Sequence, residues 1–243
     1  MARAREKTFI WRLLAGIVIP GLLFLARYRW READRIPAEG AFILTPNHYT
    51  DFDPLVSAYL LWRQGRVPRF LAKASLFKVP VLGAAMRATG QIPVERAGGG
   101  VDPLASAKRL VDERLAVIIY PEGTLTREPD LWPMRGKYGA ARLALQSGVP
   151  VIPAATWGAQ RVLPRWSKRV DLWPRKDVEV LVGEPVDLSR WAGRHTDPQA
   201  LAEATEAIMA AITDLVEDLR GEAAPPGRYD PADHGQSEFG RPG

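Results

Sequence analysis

Short apolar runs, each too brief for a helix and each separated from the next by a stretch of helical spacing, constrain this chain more than any other feature. Ala41–Thr45 (AFILT), Arg69–Ala72, Gln91–Glu95, Ala116–Tyr120 (AVIIY), Val151–Thr156 and Val178–Val182 read as strands, with the run at 116 the clearest. Between them, Pro54–Arg63 reads as a helix with Asp53 as its cap and proline at the first helical position. Pro103–Arg114 repeats that arrangement behind Asp102, and Gly136–Ser147 reads as a helix that stops at Gly148. Ser75–Ala88 is helical in character but interrupted by Pro80. Leu201, Ala204, Ile208, Ile212, Leu215 and Leu219 recur at helical spacing and predict a long amphipathic helix over Pro198–Leu219, packed on the sheet. Strands alternating with helices predict an α/β fold, a single domain with a mostly parallel central sheet flanked by helices. A length of 243 residues suits one such core.

That domain is expected to span residues 36–220. Ahead of it, residues 1–35 read as a membrane-anchoring helical segment. Leu13–Ala26 is uncharged and apolar, bracketed by Arg3, Arg5, Lys7 and Arg12 before it and Arg27, Arg29 and Arg31 after it. As a helix it is about 21 Å long, short of the roughly 30 Å hydrocarbon core, and Pro20-Gly21 predicts a bend. The expectation is an anchor in one leaflet, with arginines among anionic lipid phosphates, rather than a full span. Arg-Tyr-Arg-Trp-Arg follows the run instead of a small-residue cleavage site, which argues against a signal peptide. Residues 221–243 are Pro/Gly-rich and polar and are expected to be disordered. Trp132, Trp157, Trp166 and Trp173 fall in loop-like stretches, where a tryptophan either packs or joins an interfacial belt.

Composition excludes several chemistries. With no cysteine there is no disulfide, thiolate metal site or Cys nucleophile, and three histidines make a zinc site an unpromising reading. No serine-hydrolase elbow, phosphate-binding P-loop, dinucleotide fingerprint or H-E-x-x-H occurs. Lys plus Arg total 33 against 28 Asp plus Glu, a net +5 that suits phosphate or anionic lipid. Nucleic acid is disfavoured, because the basic residues are dispersed and no stacking-aromatic motif accompanies them.

The residues able to do chemistry gather in Asn47-His48-Tyr49-Thr50-Asp51-Phe52-Asp53, after the first strand and before the first helix. Loops at the carboxyl ends of strands are where α/β folds place their sites. A carboxylate that accepts a hydrogen bond from one imidazole nitrogen leaves the other nitrogen able to take a substrate proton. Spacing alone does not choose between Asp51 and Asp53, and Asp53 can also cap the helix.

Asn47-His48 followed by Asp53 resembles the H-x-x-x-x-D signature of the glycerolipid acyltransferases, in particular the 1-acyl-sn-glycerol-3-phosphate acyltransferase family. Three further blocks follow in that family's order: Gly90-Gln91-Ile92-Pro93-Val94-Glu95-Arg96, Tyr120-Pro121-Glu122-Gly123-Thr124 and Val149-Pro150-Val151-Ile152-Pro153. The resemblance implies that His48, oriented by Asp53, is the general base on an acceptor hydroxyl, which attacks the thioester of acyl-CoA or acyl-carrier protein. It implies no cofactor, no metal and no covalent acyl-enzyme. It also implies a glycerol-phosphate site made by Arg96 with Glu122, Gly123 and Thr124, joined by Lys73; Arg suits phosphate because its planar fork bonds two oxygens. Glu122 fits phosphate less directly and is expected to hold Arg96 or accept from a hydroxyl. The family has arginine directly after Glu-Gly-Thr, whereas Leu125 stands here, so Arg127, Arg135 or Lys137 is expected to supply that charge from a shifted position. The implied product is phosphatidic acid, made at the cytoplasmic face of the cell membrane by a monotopic protein whose partners are the lipid surface, a lysophospholipid and the acyl donor. The competing readings are the same chemistry on glycerol 3-phosphate or another lyso-lipid, and a non-catalytic basic lipid-binding module.

Overall fold

The computed structural model describes residues 8–94 and 103–237. In chain order its elements are α1 (Phe9–Leu25), β1 (Ala26–Arg31), β2 (Phe42–Pro46), α2 (Asp53–Arg63), β3 (Leu71–Lys73), α3 (Pro80–Ala88), β4 (Ile92–Val94), α4 (Pro103–Asp112), β5 (Ala116–Ile118), α5 (Gly139–Ser147), β6 (Val151–Trp157), β7 (Lys176–Val182) and α6 (Pro198–Arg220), joined by loops and short 3-10 turns. The central sheet runs β1-β7-β6-β2-β5, parallel throughout except for the β6–β7 pair. β3 and β4 form a small parallel sheet beside it, linked through a parallel bridge from Phe70 to Ile118.

Strand alternation divides the core in two, because successive side chains point to opposite faces. Phe42 and Leu44 of β2 join Val56, Leu60 and Leu61 of α2 on one face, and Ile43 joins Ala140 and Leu143 of α5 and Ile208 and Ile212 of α6 on the other. The predicted spacing in α6 is the buried stripe: Leu201, Ala204, Ile208 and Ile212 are all inside. Asp197 caps this helix by accepting from the Gln199 and Ala200 amides, and Gly221 ends it in the left-handed region. Pro80 interrupts the 75–88 stretch as expected, separating a 3-10 turn over Ala74–Lys78 from α3.

Two segments differ from expectation. Residues 26–31, assigned to the anchor, are an edge strand of the central sheet, in register from Ala26↔Lys176 to Arg31↔Leu181. Tyr28 and Trp30 turn inward, stacked at 5.4 Å, and both meet the edge of Tyr59. Arg29 and Arg31 turn outward to Glu179 and Asp218. The arginines that looked like a lipid-facing flank are thus the outer half of a two-residue alternation, and the domain begins before residue 36. Residues 221–237, expected to be disordered, return against the body. Arg228 bonds Glu206, Asp230 bonds Arg135 at 2.6 Å, and the Arg135 amide donates to Tyr229 O. Charged hydrogen bonds hold this stretch, and its apolar content gave no sign of them.

The antiparallel pairing of β7 decides what lies at the end of the sheet that carries His48. β2, β5 and β6 all end at one edge of the sheet. β7 runs against β6, and β1 runs with β7, so β1 and β7 begin at that same edge. Helix α1 and the 158–175 connection, which lead into them, therefore share this end with the loops after β2 and β5.

Gly158, directly after β6, is where that connection starts. Its φ is +99°, and a Cβ there would lie 2.1 Å from Asp177 O. Backbone meets backbone, so nothing flexible can give way. Gly158→Ala is expected to destabilise the protein by about 2 kcal/mol or more, seen as a lower urea midpoint; a change within about 0.5 kcal/mol would contradict this packing.

Candidate active site

His48 sits in the loop that leaves β2, and the loop is fixed by its own polar groups. Asn47 is bonded to both the amide and the carbonyl of Thr156 on β6, and Tyr49 Oη donates to that carbonyl at 2.6 Å. Thr50 Oγ1 donates to Leu163 O. Asp53, the first residue of α2, turns its carboxylate back into the loop. Its Oδ2 accepts from the Tyr49 and Thr50 amides at 2.8 Å each and from His48 Nδ1 at 3.1 Å. Asp53 is fully buried, whereas the His48 side chain keeps 15% of its surface exposed. Asp51 is exposed and lines the cleft, but the imidazole nitrogen is bonded to Asp53, so the geometry chooses Asp53 where spacing could not. Phe52, rather than Asp53, occupies the capping position.

The imidazole also has a platform. Tyr120, following β5, stacks on His48 with ring centroids 4.1 Å apart, and its hydroxyl pairs with Ser57 Oγ of α2 at 2.9 Å. One helix thus holds both the carboxylate and the stacking partner. Sequence reading missed this role; the signal was a tyrosine at the end of the clearest strand, one helical turn being the distance from Asp53 to Ser57.

Glu122 departs from the phosphate site expected of it, while the alternative that it accepts from a hydroxyl is met by Thr126. Glu122 is 1% exposed and absent from the residues lining the cleft. Its Oε1 accepts from the His48 amide at 2.8 Å and its Oε2 from the Met134 amide at 3.1 Å. It therefore staples the histidine loop to the 122–134 loop, and the Thr126 amide adds a second staple to His48 O at 2.7 Å. Burial pushes the Glu122 carboxyl up to about 8, against the opposing pull of its two amide donors. Burial also raises Asp53, with the bonds from His48, Thr50 and Tyr49 pulling the other way.

His48 opens into a largely apolar cleft of about 1050 Å³. Trp11, Leu14 and Val18 of α1, Leu55 and Trp62 of α2, and Leu82 and Met86 of α3 line it. Lys73, Gly123, Thr124 and Lys137 line it too, so three of the expected phosphate-site residues stand beside His48. Gly123 has φ +70°, and a Cβ there would press on Lys137 Cδ at 2.9 Å. Arg96 lies outside the described residues. Arg127 departs from expectation: the chain from Thr124 to Glu128 is buried throughout, and Arg127 is 4% exposed and not part of the lining. Arg135 is engaged with Asp230. Of the three shifted cations proposed for the place opposite Leu125, Lys137 is the one whose side chain reaches the cleft.

The acyltransferase family model matches residues 27–157, more than half of the chain. The chain belongs to the acyltransferase family. Among its relatives, a chloroplastic 1-acyl-sn-glycerol-3-phosphate acyltransferase of Brassica napus is 31% identical over 146 residues, which cover 59% of this chain and 40% of that protein. A 1-acyl-sn-glycerol-3-phosphate acyltransferase of Bacillus subtilis is 26% identical over 185 residues, covering 75% of this chain and 84% of that one. The crystal structure of PlsC, the 1-acyl-sn-glycerophosphate (LPA) acyltransferase of Thermotoga maritima, has the same fold, with a TM-score of 0.68 at 23% identity over 93% of this acyltransferase and 85% of that chain.

The raised Glu122 carboxyl has a measurable consequence. In the unfolded chain it titrates near 4.5 and in the fold near 8, so the fold holds its proton more tightly. Its contribution is fully present below pH 4.5 and is lost as pH rises through 8. The stability of wild type relative to Glu122→Gln is expected to fall by a few kcal/mol across that window, measured by urea unfolding at a series of pH values. A difference independent of pH would show that Glu122 is ionised in the fold at neutral pH.

Proposed function

We propose that this acyltransferase moves a fatty acyl group from acyl-CoA or acyl-carrier protein to the free hydroxyl of 1-acyl-sn-glycerol 3-phosphate, giving phosphatidic acid for phospholipid synthesis. The observation that carries this reading is the 3.1 Å pair between His48 Nδ1 and Asp53 Oδ2 at the floor of an apolar cleft. Names carried by the relatives support the acceptor. With Nδ1–H given to Asp53, Nε2 keeps its lone pair. It takes the proton of the acceptor hydroxyl as the oxygen bonds the thioester carbonyl. The tetrahedral intermediate then collapses, the carbon–sulfur bond breaks, and the imidazolium returns its proton to the departing thiolate. Atoms and charge balance with no cofactor in any step. Lys73 and Lys137, with the backbone at Gly123 and Thr124, hold the acceptor phosphate, and the apolar lining takes hydrocarbon chain.

His48→Ala is expected to cut transfer by about 10²–10⁴ while the melting temperature stays near wild type. Asp53→Asn should be severely damaging and Asp51→Asn mild; the reverse order would assign the orienting role wrongly. Thiol release measured with a panel of 1-acyl-sn-glycerol 3-phosphate, glycerol 3-phosphate and other lyso-lipids tests the acceptor, since Lys137 beside Leu125 is where the headgroup pocket departs from the family pattern.

The same reading places the protein at the cytoplasmic face of the membrane, through α1. Phe9 is 79% exposed, Ile17 67% and Phe24 62%, while Leu22 alone of this helix is fully buried. No described helix is long and apolar enough to cross a membrane; α1, at 17 residues, is about 26 Å long. Contact with one leaflet suits it. Because residues 26–31 belong to the sheet, point changes test this better than truncation. Phe9→Ser, Ile17→Ser and Phe24→Ser together are expected to weaken sedimentation with phospholipid vesicles, and unchanged sedimentation would remove α1 from the membrane.

A further inference from the structure

We propose that the 168–175 loop is a second bilayer contact, docking on anionic phospholipid beside α1. The connection between β6 and β7 carries the sequence Lys168-Arg169-Val170-Asp171-Leu172-Trp173-Pro174-Arg175, exposed from Lys168 to Pro174. Leu172 is 55% exposed and Trp173 75%, neither packed on anything that would account for leaving so much apolar surface in water. Basic residues interleave with them. Lys168 and Arg169 precede the apolar group, while the one acid, Asp171, is neutralised by Lys176 at 2.8 Å. An aromatic and aliphatic tip beside Lys168 and Arg169, in a stretch where cations outnumber the single acid, matches the interfacial zone of a membrane that carries negative headgroups.

Position makes the case stronger than composition does. Ala26 of β1 and Lys176 of β7 are paired in register, so the last turn of α1 and the last residues of this loop enter the sheet side by side. Arg175 fastens them, donating from Nη2 to Ala26 O at 2.9 Å. Leu23 and Phe24 are exposed just before Ala26, as Leu172 and Trp173 are exposed just before Lys176. A few residues earlier in the loop, Trp166 lines the catalytic cleft together with Trp11 of α1. Two apolar elements thus flank one cleft at one end of the sheet. A bilayer against both would cover the patch and present the cleft to lipid. This inference rests on the reading that α1 meets a membrane, and adds a second point that fixes the orientation.

The test is co-sedimentation of the full-length protein with vesicles of phosphatidylglycerol and phosphatidylcholine in equal parts, and of phosphatidylcholine alone. Leu172→Ser with Trp173→Ser is expected to weaken binding to the mixed vesicles by on the order of tenfold. Lys168→Gln with Arg169→Gln should weaken binding to the mixed vesicles, and less so in high salt, while leaving phosphatidylcholine unaffected. Both pairs should melt with wild type, since these side chains are exposed. If the loop variants bind as wild type does while the α1 variants lose binding, the loop is no membrane contact and the α1 reading stands. If wild type itself binds no vesicle, both fall. Vesicle binding unchanged with a loss of self-association on size exclusion would make the patch a contact between copies of this chain, and would overturn the proposal.

Discussion

One carboxylate oxygen organises the catalytic end of this molecule. Asp53 Oδ2 gathers two backbone amides and an imidazole nitrogen within 3.1 Å, inside a helix start that excludes water. Such an oxygen is expensive to bury, and burial does raise the Asp53 carboxyl. The donors arranged around it offset that penalty and, in doing so, fix the loop. The tautomer of His48 follows from the same bond. So does the direction of the ring, because the helix that presents Asp53 also presents Ser57, the anchor of the tyrosine stacked on it. Imidazole, carboxylate and stacking ring form one assembly held by α2 and the ends of β2 and β5.

The division between buried acids and peripheral cations follows. Asp53 commits Oδ2 to two backbone amides and an imidazole, and Glu122 commits both oxygens to backbone amides. Lys73 and Lys137 stand on the lining of the cleft itself. Glu122 is stapled behind the histidine loop, where burial raises its carboxyl.

Much of this was legible in the sequence, and the parts that were not share a physical cause. Strands and helices with one buried face showed themselves by period, as in α6 and β5. The histidine and its carboxylate showed themselves by residue type and by their place after a strand. β1 escaped because its inward residues are Tyr28 and Trp30 and its outward ones all arginine, so that a two-residue alternation passed for the charged flank of an apolar run. Glu122 was misassigned for a different reason. Which way a loop carboxylate faces depends on amides brought from 74 residues away, at His48, and 12 away, at Met134, and no local pattern encodes that. Arg127 and Lys137 exchange expectations on the same ground: both are cations near one turn, and only the path of the buried 124–128 stretch decides which reaches the cleft. The 221–237 tail is held by scattered ion pairs and hydrogen bonds, for which composition carries no periodic signal.

The walls of the cleft are its least anchored parts. Among the residues of α1, only Leu22 is fully buried, and in α3 only Gly83, which sits under Phe77 of the preceding turn. The base and its supports, by contrast, lie among fully buried side chains of two packed layers. Local stability tracks buried apolar contact, so the floor is rigid and the walls open at low cost.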